Sequence, residues 1–180
     1  QISLHTINQG IQSAFIKGRY QYLSTNPDVI VDVAHNPQAA SVLRQFLSAN
    51  SLPDSALSDK LPTAKVYQHI HAIFSVLADK NISGVIDQLA DTFDSWHIIP
   101  VNSPRAMDPQ EIKNIIQRHT KHIPITCYND FSCAYKMLME QINSMDQKGS
   151  NRPENSVKNC IVVFGSFFTV AQAMEYFHGA

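Results

Sequence analysis

Val29-Ile30-Val31-Asp32-Val33-Ala34-His35-Asn36-Pro37 is the most informative stretch of the chain. Its first residues are apolar and β-branched, which is typical of a buried strand, and Pro37 suits the first position of a helix. The run therefore places the Asp32 carboxylate, the His35 imidazole and the free N–H groups of a helix start at the carboxyl end of one strand. Open α/β sheets bind ligands at that edge, and a helix N-terminus favours anions, so we expect an anionic ligand there.

Strands and helices alternate along the rest of the chain. The apolar runs predict strands at 20–23, 29–33, 65–77, 96–101, 123–128 and 160–164. Helices are predicted from Pro37, at about 82–93, after an N-cap at Asp108, after a cap at Asn129 or Asp130, and at about 169–177. A further short helix is predicted to end near Gly18, and polar loops are predicted at 50–63 and 147–156. This alternation predicts an α/β fold with a mostly parallel sheet and helices on both faces.

Length and composition limit the classes of function. The chain has 180 residues, 44% of them hydrophobic and 16% charged, and its formal net charge is −1. One domain with a sizeable core fits this length, and the near-neutral charge gives no electrostatic case for nucleic acid or an anionic membrane as a partner. Three cysteines without a Cys-x-x-Cys pair are typical of reduced thiols, so we expect a cytoplasmic domain. Because the sequence begins with Gln1, we also expect a piece of a longer or processed protein.

Polar side chains follow four of the predicted strands. These candidates are Asp32, His35, Lys80, Arg105 and Ser166. Because the carboxyl ends of parallel strands meet at one edge of a sheet, we expect the candidates to converge on one cleft. Arg19 precedes the first strand, and its planar fork of donors suits a phosphate.

The candidate set suits charge positioning better than covalent catalysis. Asp32 can accept hydrogen bonds from ribose hydroxyls, and Lys80 and Ser166 can hold a carboxylate. No pair resembles the nucleophile and base of a hydrolase, whereas phosphoryl and acyl-phosphate transfer require positioned charges. The six glycines form neither a Gly-x-x-x-x-Gly-Lys-Ser loop nor a Gly-x-Gly-x-x-Gly turn. If the protein uses ATP, we therefore expect another domain to supply the phosphate loop.

Several motifs together resemble one known family. They are Gly18-Arg19-Tyr20-Gln21, Asp32-Val33-Ala34-His35-Asn36-Pro37, Leu77-Ala78-Asp79-Lys80, Pro104-Arg105 and the run from Phe164 to Val170. In this order and spacing they resemble the C-terminal domain of the folylpolyglutamate synthase/dihydrofolate synthase family, within the Mur ligase superfamily. The cell-wall Mur ligases usually carry Tyr where this chain has Val33, which favours the folate branch.

The resemblance implies an ATP-dependent ligase of folate biosynthesis. Residues 1–18 would be the end of an N-terminal P-loop ATPase domain and the hinge, and residues 19–180 a Rossmann-like, glutamate-binding C-terminal domain. In that family ATP phosphorylates a carboxylate of dihydropteroate or a folate, and the amine of L-glutamate attacks the acyl phosphate. The resemblance places the Mg²⁺ ligands mainly in the ATPase domain, with none in this chain, and implies a monomer.

The resemblance also implies roles for individual residues. Arg19 would contact the ATP phosphates and Asp32 the nucleotide. His35 would lie near the acyl phosphate and the incoming glutamate, and it would share the catalytic role with Lys80. Lys80 and Ser166 would lie beside the glutamate.

Each of these residues also has a purely structural explanation. Asp32 can cap the helix that follows it, His35 can be a hydrogen-bonded structural histidine, and Ser166 can be an N-cap. Arg19 and Lys80 can be solvated surface residues. The shared position at strand ends and the order of the motifs favour the functional interpretation, above all for Arg19, Asp32 and His35.

Two other functions stay open at this point. One is a related amide ligase that acts on another acid, and the other is a non-enzymatic receiver-like module that uses Asp32 and Lys80. The receiver-like hypothesis predicts phosphorylation of Asp32 by a small phosphodonor. His69 and His71 have a metal-like spacing on one strand face, but a third ligand is not evident, so no metal site is predicted.

Overall fold

A computed structural model describes Ser3, Thr6 and residues 16–49, 67–147 and 158–179 of the chain. The apolar positions of the predicted N-terminal helix lie outside the described residues, as do the predicted 50–63 loop and residues 148–156 of the second predicted loop.

The described residues form a six-stranded sheet. The strands are β1 Gln21–Thr25, β2 Asp28–Asp32, β3 His69–Phe74, β4 Ser95–Ile98, β5 Ile125–Cys127 and β6 Asn159–Phe164. Their spatial order is β1-β2-β6-β3-β4-β5. Only β1, which a short turn joins to β2, runs antiparallel to its neighbour, and the other described neighbours are parallel. The predicted, mostly parallel sheet is confirmed.

Five helices of the described chain follow or connect these strands. They are α1 Pro37–Ala49, α2 Ile82–Leu89, α3 Pro109–His119, α4 Phe131–Gln147 and α5 Phe167–His178. The Asn36 side chain caps α1 by accepting the Ala39 N–H at 2.8 Å. The predicted Asp108 cap of α3 is confirmed. The α4 cap is Asp130, because its carboxylate accepts the Cys133 N–H at 2.7 Å.

The helices cover both faces of the sheet, as the sequence predicts. Helices α1, α2 and α3 pack on one face, where the rings of Phe74, Trp96 and Phe164 contact one another with centroids 4.8 to 6.0 Å apart. Helices α4 and α5 pack on the other face. The strand residues beneath α4 and α5 are Val29, Val31, Ile73, Ile161 and Val163. Burial of apolar surface on both faces is the main source of stability in such a layered domain.

Some predicted boundaries are wrong, and tertiary contacts explain why. β3 ends at Phe74 rather than at residue 77, because the chain leaves the sheet there and Leu77 pairs with Ala106 in an antiparallel bridge. α2 ends at Leu89 rather than at residue 93. Phe93 instead stacks on Phe164, with ring centroids 5.5 Å apart.

Candidate functional site

A tight turn fastens the residues before β1 to the end of β2. Gly18 has a φ of +74°, which favours glycine, and its carbonyl accepts the Val33 N–H at 3.0 Å. Tyr20 also has a positive φ, of 45°. The Tyr20 N–H donates to Asp32 at 3.2 Å and its ring packs on Phe46 with centroids 4.7 Å apart, so these contacts offset the strain.

Asp32 is the anchor of this turn. Its side chain is 1% exposed, and Nη1 of Arg19 lies 3.4 Å from its Oδ1. Burial raises the pKa of the Asp32 carboxyl, although the Arg19 charge and the N–H groups of Tyr20 and Ala34 oppose the rise. Arg19 keeps 36% of its side chain exposed. The buried carboxylate therefore holds an arginine whose side chain is still about one-third exposed.

A cavity of about 290 Å³ opens at the carboxyl ends of the strands. Its lining consists of His35, Leu77, Lys80, Arg105, Gly165, Ser166, Phe167 and Phe168. Four of the residues predicted from sequence are therefore together in one place. Arg19 and Asp32 are not among the lining residues, so the predicted set divides between the cavity and a separate turn, the arginine turn, which consists of residues 18–20 and the Asp32 that binds them.

The His35 ring has a defined orientation at this cavity. Its Nδ1 lies 2.8 Å from the Val33 carbonyl oxygen, which can only accept a hydrogen bond. Nδ1 therefore carries a proton, and in the neutral ring Nε2 is the atom with a free lone pair. The imidazole can accept a proton at Nε2 from a group in the cavity.

Lys80 and Arg105, which both line the cavity, form ion pairs with the same oxygen of Asp79. Oδ2 of Asp79 lies 3.0 Å from the Lys80 ammonium and 2.7 Å from Nη2 of Arg105. Hydrogen bonds from these two cations lower the pKa of the Asp79 carboxyl to about 2, so it stays ionised. Lys80 is 30% exposed and Arg105 is 61% exposed. Both cations can therefore reach a ligand from the mouth of the cavity.

Ser166 lines the cavity, but its hydroxyl caps the N-terminus of α5. Its Oγ accepts the Thr169 N–H at 3.1 Å and lies 2.7 Å from the Thr169 hydroxyl. The Thr169 hydroxyl donates its proton to the Ser75 carbonyl, so Ser166 must be the donor between the two hydroxyls. In this arrangement the Ser166 hydroxyl proton is already used inside the protein.

Three residues of the site had no role in the sequence-based prediction. Phe167 and Phe168 are 65% and 46% exposed at the start of α5. The sequence contained a signal for these two residues. They are adjacent aromatic residues that follow the Gly165-Ser166 pair directly after the end of a strand. Asp79 was recognised only as a neighbour of Lys80.

A second, more open crevice shares Phe168 with the first. Its volume is about 440 Å³, and its lining consists of Pro100, Val101, Asn102, Asn129, Phe168, Ala171, Gln172 and Glu175. None of the residues predicted as functional lies in it. The smaller cavity is therefore the candidate site.

His69 and His71, the residues with metal-like spacing, belong to a different arrangement. Nδ1 of His71 lies 2.8 Å from the Ser95 hydroxyl. The same hydroxyl lies 2.8 Å from Nε2 of His97, whose Nδ1 lies 3.0 Å from the Tyr128 hydroxyl. The described part of the chain contains no group of three or more His, Cys, Asp or Glu residues placed to hold a metal ion. His71, Ser95, His97 and Tyr128 therefore form a hydrogen-bonded chain, whereas His69 is about half exposed and its Nδ1 lies 3.6 Å from Oδ1 of Asp94.

Acid should weaken the fold through this histidine chain. Burial, and secondarily the nearby His71, lowers the pKa of His97 from 6.5 to about 4. The unfolded chain therefore binds the proton first as the pH falls, and stability is lost between pH 6.5 and 4, by up to about 3 kcal/mol. Urea unfolding at several pH values measures this loss. His97→Asn should flatten the pH dependence, and His122→Asn, at an exposed histidine, should leave it unchanged.

One protein family matches most of the chain. The family described as "Mur ligase, glutamate ligase domain" matches residues 18–167. This chain belongs to that Mur ligase family. The matched range begins at the Gly18 turn and ends at the first residue of α5, so it contains both the arginine turn and nearly all of the cavity. None of the described helices of this Mur ligase domain is long and apolar enough to span a bilayer.

Relatives of this Mur ligase domain are larger proteins. The dihydrofolate synthase/folylpolyglutamate synthase of Buchnera aphidicola from Acyrthosiphon pisum is 30% identical over 94% of this chain and 34% of its own length. The crystal structure of the bifunctional enzyme of Yersinia pestis with AMPPNP and Mn ion matches 99% of this chain and 35% of its own, at 27% identity and a TM-score of 0.69. A bifunctional folylpolyglutamate synthase/dihydrofolate synthase with Mn, AMPPNP and L-glutamate bound has the same identity and TM-score, with 99% and 36% coverage. The chain thus spans about a third of the length of these relatives.

Proposed function

We propose that this chain is the glutamate-binding domain of an ATP-dependent amide ligase of folate metabolism. The full-length enzyme would join L-glutamate to dihydropteroate, to a folate polyglutamate, or to both, through an acyl phosphate. It would act in the cytoplasm as a monomer, and an N-terminal P-loop ATPase domain of the same protein would bind ATP and Mg²⁺. The observation that carries this proposal is the cavity, where a proton-accepting histidine and two cations converge in a member of this family.

Two chemical requirements of amide formation match the cavity. The amine of L-glutamate must lose a proton when it attacks the acyl phosphate, and Nε2 of His35 can accept one. The carboxylates of glutamate need positive partners, and Lys80 and Arg105 supply them. Ser166 would line the site and cap the N-terminus of α5. Its hydroxyl would not donate to glutamate, because that proton is already donated to the Thr169 hydroxyl.

The arginine turn supports a role in nucleotide binding. Arg19 is fixed to a carboxylate that is itself buried, so its guanidinium is positioned before an anion arrives. We propose that Arg19 contacts the ATP phosphates and that Asp32 acts on the nucleotide through Arg19. The Mg²⁺ that accompanies ATP would be held mainly by the ATPase domain.

The structure disfavours the receiver-like alternative. A phosphodonor must reach the acceptor carboxylate, whereas the Asp32 side chain is 1% exposed and accepts hydrogen bonds from Arg19 and Tyr20. The features of the cavity fit an amide ligase for another acid equally well. The relatives named above favour a folate substrate over that alternative.

The test is ATP-dependent ligation of labelled L-glutamate by the full-length protein, with dihydropteroate and tetrahydrofolate compared as acceptors. Turnover of either acceptor would support the assignment, and the preferred acceptor would name the activity. If the folded protein, supplied with magnesium, used neither acceptor, the folate assignment would be wrong and another acid would be sought.

Arg19→Ala should raise the KM for ATP by roughly 10- to 100-fold, because it removes a charge-assisted contact with phosphate. Asp32→Asn keeps the side-chain volume and the arginine but weakens their pairing, so we expect a smaller increase in the same direction. Arg44→Ala, at an exposed arginine of α1, is the matched control. An Arg19→Ala enzyme with the KM of the control would exclude the proposed phosphate contact.

A further inference from the structure

Two adjacent phenylalanines at the start of α5 expose large parts of their rings. Phe167 and Phe168 are 65% and 46% exposed, and both line the cavity. Exposed apolar side chains that lie together beside a site mark a contact with a ligand or a partner. Phe168 also lines the second crevice, whereas Phe167 lines the cavity alone. Phe168 therefore forms the wall that the two spaces share.

One face of α5 continues from this wall along the second crevice. The residues of α5 that line the crevice have the three- and four-residue spacing of a single helix face, and they are Phe168, Ala171, Gln172 and Glu175. Nε2 of Gln172 donates to the Pro100 carbonyl at 3.1 Å, which ties this face to the residues that follow β4. Among the described residues that line the crevice, the charged one is Glu175. The crevice is therefore an acidic groove that begins at an aromatic ring.

The wall at Phe168 is the side of the cavity that is left for the acceptor of glutamate. In the proposed function, on which this inference rests, His35 accepts the amine proton and Lys80 and Arg105 hold the carboxylates of glutamate. The acyl phosphate must lie beside the attacking amine, so the rest of the acceptor has to leave the cavity past another part of its lining. Because the second crevice shares Phe168 with the cavity, a route past this ring leads into open space.

We propose that Phe168 and Glu175 make the enzyme selective for an acceptor whose reacting carboxylate is bonded directly to an aromatic ring. Dihydropteroate is such an acceptor, and its aminobenzoyl ring would pack against the Phe168 ring, since aromatic pairs attract in offset and edge-to-face arrangements. In a folate polyglutamate the reacting carboxylate belongs to a glutamate, and the carboxylates of other glutamates lie close to it. The Glu175 carboxylate repels those charges. The same wall therefore favours one class of acceptor and disfavours the other.

The experiment measures kcat and KM of the full-length enzyme for dihydropteroate and for tetrahydropteroyl triglutamate, with ATP and L-glutamate saturating. Phe168→Leu keeps an apolar side chain but removes the ring. The KM for dihydropteroate should therefore rise roughly 10-fold, while the KM for the triglutamate and both kcat values should change by less than about twofold. Phe168→Tyr keeps the ring and should restore most of the wild-type KM. Met137→Leu, at an exposed apolar side chain of α4, is the matched control and should change neither constant.

Glu175→Gln should act in the opposite direction and on the other acceptor. Removal of the negative charge should lower the KM for the triglutamate by roughly two- to fivefold at low ionic strength, and added salt should erase this gain by screening the repulsion in the wild-type enzyme. The KM for dihydropteroate should stay at the wild-type value. Glu140→Gln, at an exposed glutamate of α4, should leave both KM values unchanged.

Equal changes with both acceptors would show a structural role for Phe168 and would overturn the proposal. So would a Phe168→Leu enzyme with the wild-type KM for dihydropteroate, or a Glu175→Gln enzyme with the wild-type KM for the triglutamate. A wild-type enzyme that ligates glutamate to the triglutamate but not to dihydropteroate would overturn this inference and still support the proposed function. A wild-type enzyme that uses neither acceptor would overturn both.

Discussion

His35→Ala should lower the kcat for glutamate ligation by about 10²- to 10⁴-fold, the range expected when a positioned proton acceptor is removed. The reason is geometric, because the Val33 carbonyl fixes Nδ1 as a donor and leaves Nε2 to accept a proton in the cavity. Steady-state kinetics of the full-length enzyme measure the effect. The KM for ATP should stay within about twofold of the wild-type value, since the chemical step is what the substitution impairs.

The matched control is His178→Ala, at an exposed histidine near the end of α5, which should have wild-type kinetics. If His35→Ala also kept the wild-type kcat, His35 would not be the proton acceptor, and a structural role for its ring would remain.

Gly165→Ala should destabilise the domain by about 3 to 5 kcal/mol, or prevent its folding, through overpacking and backbone strain together. A Cβ at this position would lie 2.2 Å from the Ser75 carbonyl oxygen and 2.5 Å from a ring carbon of Phe74. The φ of Gly165 is +109°, which other residues rarely adopt. The main chain of β3 cannot retreat, because β3 pairs with β6 along its whole length.

Urea unfolding, or the yield of folded protein where the variant is too unstable, measures this effect. Ser48→Ala, at an exposed position of α1, is the control and should change the free energy of unfolding by less than about 0.5 kcal/mol. A loss below about 1 kcal/mol for Gly165→Ala would mean that the β6–α5 corner can rearrange.

Local sequence patterns were sufficient to predict much of this domain. The run around Asp32 predicts β2 and α1 because β-branched residues, a capping Asn36 and Pro37 all act within a few residues of one another. The prediction that polar residues converge at one edge of the sheet also succeeded for His35, Lys80, Arg105 and Ser166, because parallel strands bring their carboxyl ends together.

Contacts between distant residues explain what sequence reasoning missed. Asp79 pairs with Arg105, which lies 26 residues further along the chain. The adjacency of Asp79 and Lys80 in the sequence therefore did not indicate that both cations bind the same oxygen of Asp79. The use of the Ser166 hydroxyl depends on Thr169 and on the Ser75 carbonyl, 94 residues from Thr169. The burial of Asp32 depends on how the preceding turn closes over it, which hydrophobic periodicity does not encode.

The central position of β6 has a consequence for synthesis on the ribosome. Until β6 has left the exit tunnel, the described strands can form only a β1–β2 hairpin and a separate β3–β4–β5 sheet, because β6 is the strand that pairs with both β2 and β3. The nascent chain must therefore keep its apolar strands from aggregating until Phe164 has emerged from the tunnel. A premature stop codon between Cys127 and Asn159 would leave the β1–β2 hairpin and the β3–β4–β5 sheet without the strand that pairs with both, and we expect quality-control proteases to degrade such a product.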